Sequence, residues 1–155
     1  MFISARARNF MRILDVTVPL ADQGLVLILG RNEDAEHAGS NGAGKTSLLD
    51  MLTWGVWGQT VRGQKHDAVV NRTVGKNCHV TIELLIEGDN YTIDRYRKCD
   101  FTDKPNDLKL AKNGEDLTGG SMADTQTTIS TLLGLDFPTF QCMMPGAGLK
   151  AADMT

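Results

Sequence analysis

Residues 25–55 read LVLILGRNEDAEHAGSNGAGKTSLLDMLTWG, and this stretch decides the fold. Within it, residues 39–46 spell GSNGAGKT, which satisfies the pattern G-x-x-x-x-G-K-[ST] in full. The apolar run LVLIL before the pattern has the length and composition of a strand buried on both faces. The leucines after it recur at three-to-four spacing, so the stretch predicts a helix over 45–57 that ends at Gly58.

The residue types of this loop suit the binding of a polyphosphate. Glycines adopt positive φ and let the backbone wrap a ligand closely, so that successive N–H groups point at phosphate oxygens. The following helix directs the positive end of its dipole to the same place. Lys45 is expected to bridge the β- and γ-phosphates of ATP, and the Thr46 hydroxyl to bind Mg²⁺. The predicted cofactor-binding residues of the loop are Gly39, Ser40, Asn41, Gly42, Ala43, Gly44, Lys45, Thr46 and Ser47.

An acidic insertion separates the apolar run from the loop. Residues 30–32, GRN, resemble an earlier start, but no Gly-Lys follows them at the required spacing, so the loop begins at Gly39. The three carboxylates of residues 33–36 would repel ATP, and we expect residues 32–38 to bulge into solvent, where insertions cost little. The alternative is that His37 or one of these acids assists Mg²⁺ or the attacking water.

The rest of the chain predicts antiparallel strands and a short helix. Alternating residues predict strands at FISARARNF (2–10), ILDVTVPL (13–20), CHVTIELLI (78–86) and NYTIDRYRK (90–98), the last two joined as a hairpin by EGD. The segment DLKLAKNGEDLT (107–118) predicts another hairpin that turns at Asn113-Gly114. A helix is predicted over 125–133 with Asp124 as its N-cap. This order predicts a mixed α/β lobe, and a repeated βαβ series is not present.

Composition is that of an ordinary globular chain, with 155 residues of which 41% are hydrophobic and 23% charged. The formal charge of −3 gives no global positive field toward nucleic acid, so any DNA contact would be local or come from a partner. The three cysteines form no CxxC pair, which argues against a zinc site or disulfide scaffold and fits a reducing cytosol. No apolar run approaches the roughly 20 residues of a membrane span, and the N-terminus is too polar for a signal peptide. The predicted location is therefore cytoplasmic, without a membrane partner.

Four segments occur in the order of a known family: RNF (8–10), SNGAGKTSLLDMLTWGVWG (40–58), HVTIELLIEGDNYTIDRYRK (79–98) and LLGLDFPTF (132–140). With them the chain resembles the N-terminal lobe of SMC-like, SbcC-type repair exonuclease ATPases, including the ATPase subunits of tailed-phage recombination endonucleases. The resemblance covers nearly the whole chain. It implies a P-loop NTPase of the ABC/SMC head type, in which residues 1–155 are the N-terminal lobe and the coiled coil and C-terminal lobe lie outside.

The same resemblance implies partners and a division of labour. In the family, two heads sandwich two ATP molecules as a homodimer and drive a partner nuclease on double-stranded DNA ends. The signature motif, Walker B motif and catalytic glutamate come from the C-terminal lobe, so the isolated chain is expected to be an almost inactive ATPase. A phage-encoded protein of this kind would work in the cytoplasm of the host cell.

Two further sites of the family have different residues at the matching positions of this chain. By position, Arg8 and Asn9, or Arg12 nearby, match a basic contact near the nucleotide, although the family's NFRS is NFMR here. The Q-loop glutamine of cellular relatives falls on Gly148. Gln141 is the glutamine of the tail and the candidate for that catalytic role, and its alternative interpretation is a polar residue on a loop.

Several other motifs admit a functional and a structural interpretation. LTGGS (117–121) resembles an ABC signature but also a turn before a helix, and IELLIEGD (82–89) resembles a Walker B motif but alternates as a half-exposed strand. The basic run RYRK (95–98) is either a DNA phosphate contact or a solvated face. His66 and His79 have no ligand partner at metal spacing, and both tryptophans are predicted to lie in the core.

Two other functions remain open from the sequence. The chain is either a non-catalytic, truncated interaction module that binds a partner through its apolar tail, or the ATPase lobe of an ABC-type transporter. A coiled-coil heptad run encoded downstream of Thr155 favours the repair ATPase, and a stop codon there favours the interaction module.

Overall fold

The computed structural model of the chain describes residues 1–24, 26–28 and 44–143. Their elements follow the order of strands and helices predicted for a mixed α/β lobe. The strands are β1 (Phe2–Phe10), β2 (Ile13–Pro19), β3 (Cys78–Ile86), β4 (Asp89–Arg97), β5 (Asp107–Lys112) and β6 (Glu115–Asp116). The helices are α1 (Lys45–Trp57), α2 (Met122–Leu133) and α3 (Phe137–Met143), with a 3₁₀ turn at His66–Val69.

The described strands form one antiparallel sheet in the order β2-β1-β3-β4-β5-β6. Two-residue turns close both predicted hairpins. Glu87 and Gly88 have φ of 53° and 89°, and Asn113 and Gly114 have φ of 49° and 85°. Positive φ at both central residues matches the right-handed twist of the flanking strands, so these pairs set the register of β3–β4 and β5–β6.

One face of the sheet carries the core and supports the helices. Its inward residues are Ala5, Ala7, Val80, Ile82, Leu84, Ile93, Leu108 and Leu110. Helix α1 lies over β1, β3 and β4, and α2 lies over β5. Trp54 packs on Phe10 with ring centroids 5.5 Å apart, so its predicted core position is confirmed. Trp57 is only half-buried, and its ring makes a tilted contact with Phe140 of α3, with centroids 4.4 Å apart.

The bounds of α1 agree with the prediction at both ends. Gly44 stands before it with φ 86°, and Gly58 ends it with φ 74° and donates its N–H to Trp54 O at 2.8 Å. Positive φ is open to glycine at little cost, so a glycine at each end stops the helix from extending.

Two predictions about secondary structure are wrong. Val26, Leu27 and Ile28, expected in a strand buried on both faces, form no strand and are 58%, 79% and 43% exposed. Such a strand needs hydrogen-bonded neighbours and covering layers, and the described part of the chain supplies neither to this segment.

The other error concerns the start of α2. The helix begins at Met122, three residues before the predicted start, and Ser121 is its N-cap where Asp124 was predicted. Ser121 Oγ accepts from Asp124 N at 3.1 Å and donates to Asp124 Oδ2 at 2.7 Å. Ser121 thus caps the helix through the backbone N–H of the third helical position, and the Asp124 carboxylate at that position accepts from the Ser121 hydroxyl.

Gly55 lets α1 approach the sheet closely. A methyl group at this position would lie 2.7 Å from Ile82 Cγ1 and 2.9 Å from Val80 Cγ1, both in the buried core. These separations are far below carbon–carbon contact distance, so the absence of a side chain at Gly55 sets how near the helix lies to β3.

We expect Gly55→Ala to lower the free energy of unfolding by about 1–3 kcal/mol, because the added methyl group overpacks the contact with Ile82. This loss would reverse the gain of up to about 1 kcal/mol that alanine brings to a helix interior. Urea denaturation measures the change. In an Ile82→Ala background the same substitution should cost less, and an equal cost in both backgrounds would contradict the close approach.

Candidate functional site

The candidate site is the N-terminus of α1, where Gly44, Lys45 and Thr46 are described. Gly44 is the N-cap, and because glycine has no side chain, it gives the first-turn amides no side-chain acceptor. Thr46 is exposed, Lys45 and Gly44 are half-buried, and Ser47 is buried. Main-chain N–H groups, a lysine and an accessible hydroxyl are the donor set that a phosphate–Mg²⁺ group requires.

The remainder of the predicted phosphate loop is outside the described residues. This applies to Gly39, Ser40, Asn41, Gly42 and Ala43, and also to the acidic insertion at 32–38. The left-handed conformation of Gly44 is nevertheless the one that the last glycine of the pattern was expected to need. The described helix thus begins at Lys45, directly after Gly44, as the sequence predicts.

A buried carboxylate on α1 anchors the segment that follows the helix. Asp50 is fully buried, and its Oδ1 accepts from Val61 N at 3.2 Å. Its Oδ2 accepts from Arg62 Nη2 at 2.8 Å, although the Arg62 side chain is 53% exposed. The turn is closed by Thr60, whose N–H donates to Gln64 O at 3.0 Å and whose Oγ1 accepts from Gln64 N at 2.9 Å.

Gln141 reaches the same segment from α3. Its Nε2 donates to Val61 O at 2.9 Å, so it holds the carbonyl of the residue whose N–H bonds to Asp50. The residue therefore lies on a helix and has a defined partner, which differs from the interpretation as a polar residue on a loop. Its catalytic role stays a prediction, and Gly148 lies outside the described residues.

The three candidate nucleotide contacts of β1 and its turn lie in different environments. Asn9 has φ 51°, and its Nδ2 donates to Lys76 O and Asn77 O at 3.3 and 3.1 Å. This side chain therefore secures the loop before β3. Arg8 is exposed on the sheet face opposite α1, and Arg12 is exposed in the β1–β2 turn. Their assignment to the nucleotide remains a prediction.

The basic run at the end of β4 does not present three free cations. Arg95 is buried and 6% exposed, so it is unable to reach a DNA phosphate. Arg97 Nε donates to Asp67 Oδ1 at 2.8 Å, and Lys98 Nζ lies 3.0 Å from Asp67 Oδ2. Hydrogen bonds from Lys98 and Arg97 hold the pKa of Asp67 below its ordinary value. The DNA interpretation is therefore wrong for Arg95, while the other two cations share one carboxylate.

His79 has close hydrogen-bond and ring partners on the sheet. Its Nε2 lies 2.8 Å from Asp94 Oδ1, which also accepts from Thr81 Oγ1 at 2.6 Å, and its ring stacks on Tyr96 at 4.3 Å. Burial raises the pKa of Asp94, but the hydrogen bonds from His79 and Thr81 outweigh it and lower the pKa overall. Across the ranges that the structure describes, no cluster of three histidine, cysteine or acidic side chains could hold a metal ion.

The other two motifs have structural roles where they are described. In LTGGS, Gly119 N donates to Thr125 Oγ1 at 3.0 Å, and the Ser121 hydroxyl caps α2. In IELLIEGD, residues 82–86 belong to β3, and Glu87-Gly88 is its hairpin turn. Both arrangements are the structural alternatives that the sequence left open. Within the described ranges, no helix has the length and apolar character needed to cross a membrane.

Comparison with known proteins gives a family and several relatives. The family profile described as "AAA domain" matches residues 5–146. "Exonuclease subunit 2" of Enterobacteria phage T4 is 26% identical over 79% of this chain and 21% of its own length. A subunit of the nuclease SbcCD from Deinococcus radiodurans is 32% identical over 74% of this chain and 13% of its own length. "DNA double-strand break repair Rad50 ATPase" of Sulfolobus acidocaldarius is 30% identical over 84% of this chain and 13% of its own length. The chain thus spans about a fifth or less of these relatives.

We expect Arg62→Ala to lower the free energy of unfolding by about 1–2 kcal/mol, because the Asp50 carboxylate stays buried after losing a charged donor. The exposed half of the Arg62 side chain is screened by solvent, which keeps the loss in this modest range. Chemical denaturation at neutral pH measures it.

Lys76→Ala is the matched control, since the Lys76–Asp100 ion pair has both side chains more than half exposed, at 61% and 56%. No measurable loss of stability is expected there. Equal effects of the two substitutions would mean that the Asp50 carboxylate is hydrated.

Proposed function

The chain belongs to the AAA domain family, and on that premise we propose that residues 1–155 are the N-terminal, ATP-binding lobe of an SMC-like repair ATPase head. The observation that carries the proposal is the start of α1 at Lys45, directly after a glycine with φ 86°. This is where a P-loop pattern requires its helix to begin. The antiparallel sheet under α1 fits a head of the ABC/SMC type.

Within this lobe, the nucleotide site is formed by Gly39 to Ser47. The backbone amides of the loop and of the first turn of α1 bind the phosphate oxygens, aided by the helix dipole. Lys45 bridges the β- and γ-phosphates, and Thr46 gives its hydroxyl to Mg²⁺. Arg8, Asn9 or Arg12 contributes a contact near the nucleotide. Mg²⁺, when bound, neutralises charge on the phosphates during transfer.

The lobe supplies positioning and charge but no base for the attacking water. Phosphoryl transfer depends mainly on these two effects, and a further residue must orient the water. In this proposal that residue, the Walker B motif and the signature motif come from a C-terminal lobe beyond a coiled coil. The exposed apolar residues Val26, Leu27 and Ile28 support a further layer over this part of the chain.

The biological role follows from the same assignment. Relatives whose printed names describe parts of an exonuclease and a nuclease, and a double-strand break repair ATPase, support work with a nuclease on DNA ends. We place the chain in such a complex, with a second ATPase head, a nuclease and double-stranded DNA as partners. These names favour the repair ATPase over the lobe of an ABC transporter. A non-catalytic interaction module is the alternative that the exposed apolar run also suits.

Lys45→Ala is expected to weaken MgATP binding by about ten- to 100-fold, because charge-assisted hydrogen bonds to phosphate of about 1.5–3 kcal/mol are lost. The fold should stay intact in this variant. Titration calorimetry on the full-length protein measures the affinity. Lys112→Ala is the control for loss of one surface lysine, since Lys112 lies on β5 and forms an ion pair of 2.7 Å with Asp89 of β4. Equal affinities in parent and Lys45→Ala would refute the nucleotide site.

The 155-residue chain on its own should hydrolyse ATP far more slowly than the roughly 1 per second of an ordinary phosphoryl-transfer enzyme. The reason is the lack of a base in the proposed lobe. A coupled phosphate-release assay on the purified chain measures the rate. Turnover near 1 per second that Lys45→Ala abolishes would place the base within these residues and overturn the two-lobe division.

A further inference from the structure

Arg95 is a buried cation that binds the far end of the helix whose start is the candidate phosphate site. Its Nε donates to Gly55 O and its Nη2 to Val56 O, both at 3.0 Å. The same Nη2 donates to Gln126 Oε1 of α2 at 2.6 Å. Gln126 Nε2 in turn donates to Val56 O at 3.0 Å, so the Val56 carbonyl accepts from both Arg95 and Gln126.

Three of the last four carbonyls of α1 have hydrogen-bond partners, namely those of Trp54, Gly55 and Val56. The last four carbonyls of a helix have no partner within it and must be satisfied from outside when buried. Trp54 O accepts from Gly58 N, and the next two carbonyls accept from Arg95 and Gln126. The Arg95 guanidinium also lies over the Trp54 ring, with Cζ 5.9 Å from its centroid. Three elements, β4, α1 and α2, are therefore joined at this point.

Arg95 remains an unusual residue in this position. It is 6% exposed, and no ion pair between it and a carboxylate occurs in the part of the chain that the structure describes. Burial lowers the pKa of the guanidinium to about 10, which still leaves it charged at neutral pH. Its negative counterpart is the C-terminal end of the α1 dipole. A methyl group at Gly58 would lie 3.0 Å from Nη1, so the helix end is shaped around this side chain.

We propose that Arg95 and Gln126 are positioning residues for the phosphate site, which they orient by fixing the C-terminal end of α1. This inference rests on the proposed function, because it assigns a role toward the nucleotide that α1 is proposed to bind. A helix held at one end by packing at Gly55 and by directed hydrogen bonds has a defined axial position. A defined axial position places the amides of Lys45 and Thr46 at one distance from the phosphates.

The positive charge of Arg95 also favours anion binding at the N-terminus of α1. A cation at the C-terminal end of a helix offsets the negative end of the dipole and leaves the positive end to act on an anion at the other terminus. Gln126 extends the link to α2, so displacement of α2 is transmitted through Val56 O to α1. Arg95 touches neither substrate nor reacting atoms and acts through α1 alone.

The test compares MgATP affinity with stability in the full-length protein, using four variants. Arg95→Met removes the guanidinium and keeps a side chain of similar length. Arg95→Lys keeps the charge but loses the paired hydrogen bonds to Gly55 O and Val56 O. Gln126→Leu removes the hydrogen bonds that join α2 to Arg95 and Val56 O. Leu110→Ala is the matched destabilised control, since Leu110 is buried on β5, which pairs with β4. Affinity is measured well below every unfolding midpoint, together with hydrogen exchange of the amides at Lys45–Ser47.

Arg95→Met is expected to weaken MgATP binding about fivefold and to speed exchange of these amides. Arg95→Lys should bind MgATP with an affinity between those of the parent and Arg95→Met. Gln126→Leu should bind MgATP about twofold more weakly than the parent does. Leu110→Ala should bind as the parent does despite its lower stability. Parental affinity in folded Arg95→Met or Gln126→Leu protein, or equal losses in Leu110→Ala, would overturn the positioning role. Should Arg95→Met not fold, Gln126→Leu and Arg95→Lys decide. If Lys45→Ala also binds like the parent, the nucleotide site itself is refuted.

Discussion

The contact on which this fold depends is the packing of α1 against β3 at Gly55. Because no side chain separates the helix backbone from Ile82 and Val80, α1 lies close enough for β4 to reach its end. Arg95 on that strand then bonds to carbonyls that a helix further away would leave to water. Close packing and the buried hydrogen bonds are therefore one arrangement, in which each makes the other possible.

The two ends of α1 carry opposite charge of the same helix dipole and differ in what surrounds them. Its start, after Gly44, offers amides and a positive potential, and its end is enclosed by a cation, an amide side chain and a left-handed glycine. The segment after it is tied back by Asp50, and α3 is joined to that segment through Gln141. The neighbouring helices α2 and α3 thus both bear on the orientation of α1, which suits a lobe whose proposed work is to hold phosphate.

The sequence correctly predicts the elements whose ends are set by the residues at those ends themselves. Both ends of α1 and both hairpin turns have residues that favour positive φ, so local pattern places them correctly. The predicted start of α2 is wrong because Ser121 and Asp124 both have side chains that can cap a helix, and Ser121 is the residue whose hydroxyl accepts from the first helical turn, at Asp124 N. The run at Val26 is predicted from apolar character alone, which does not reveal what covers it. Alternation puts Arg95 on the inward side of β4, but its three partners lie 31, 39 and 40 residues away, beyond any local pattern.

Both tryptophans of the chain belong to α1, and they face different neighbours. Trp54 is in contact with Phe10 and the Arg95 guanidinium, whereas Trp57 makes tilted ring contacts with Phe140 and Phe137 of α3. The indole emission of these residues therefore originates from one helix. A spectroscopist has here a label-free optical probe that separates a rearrangement at the sheet from one at α3, once either indole is replaced by phenylalanine.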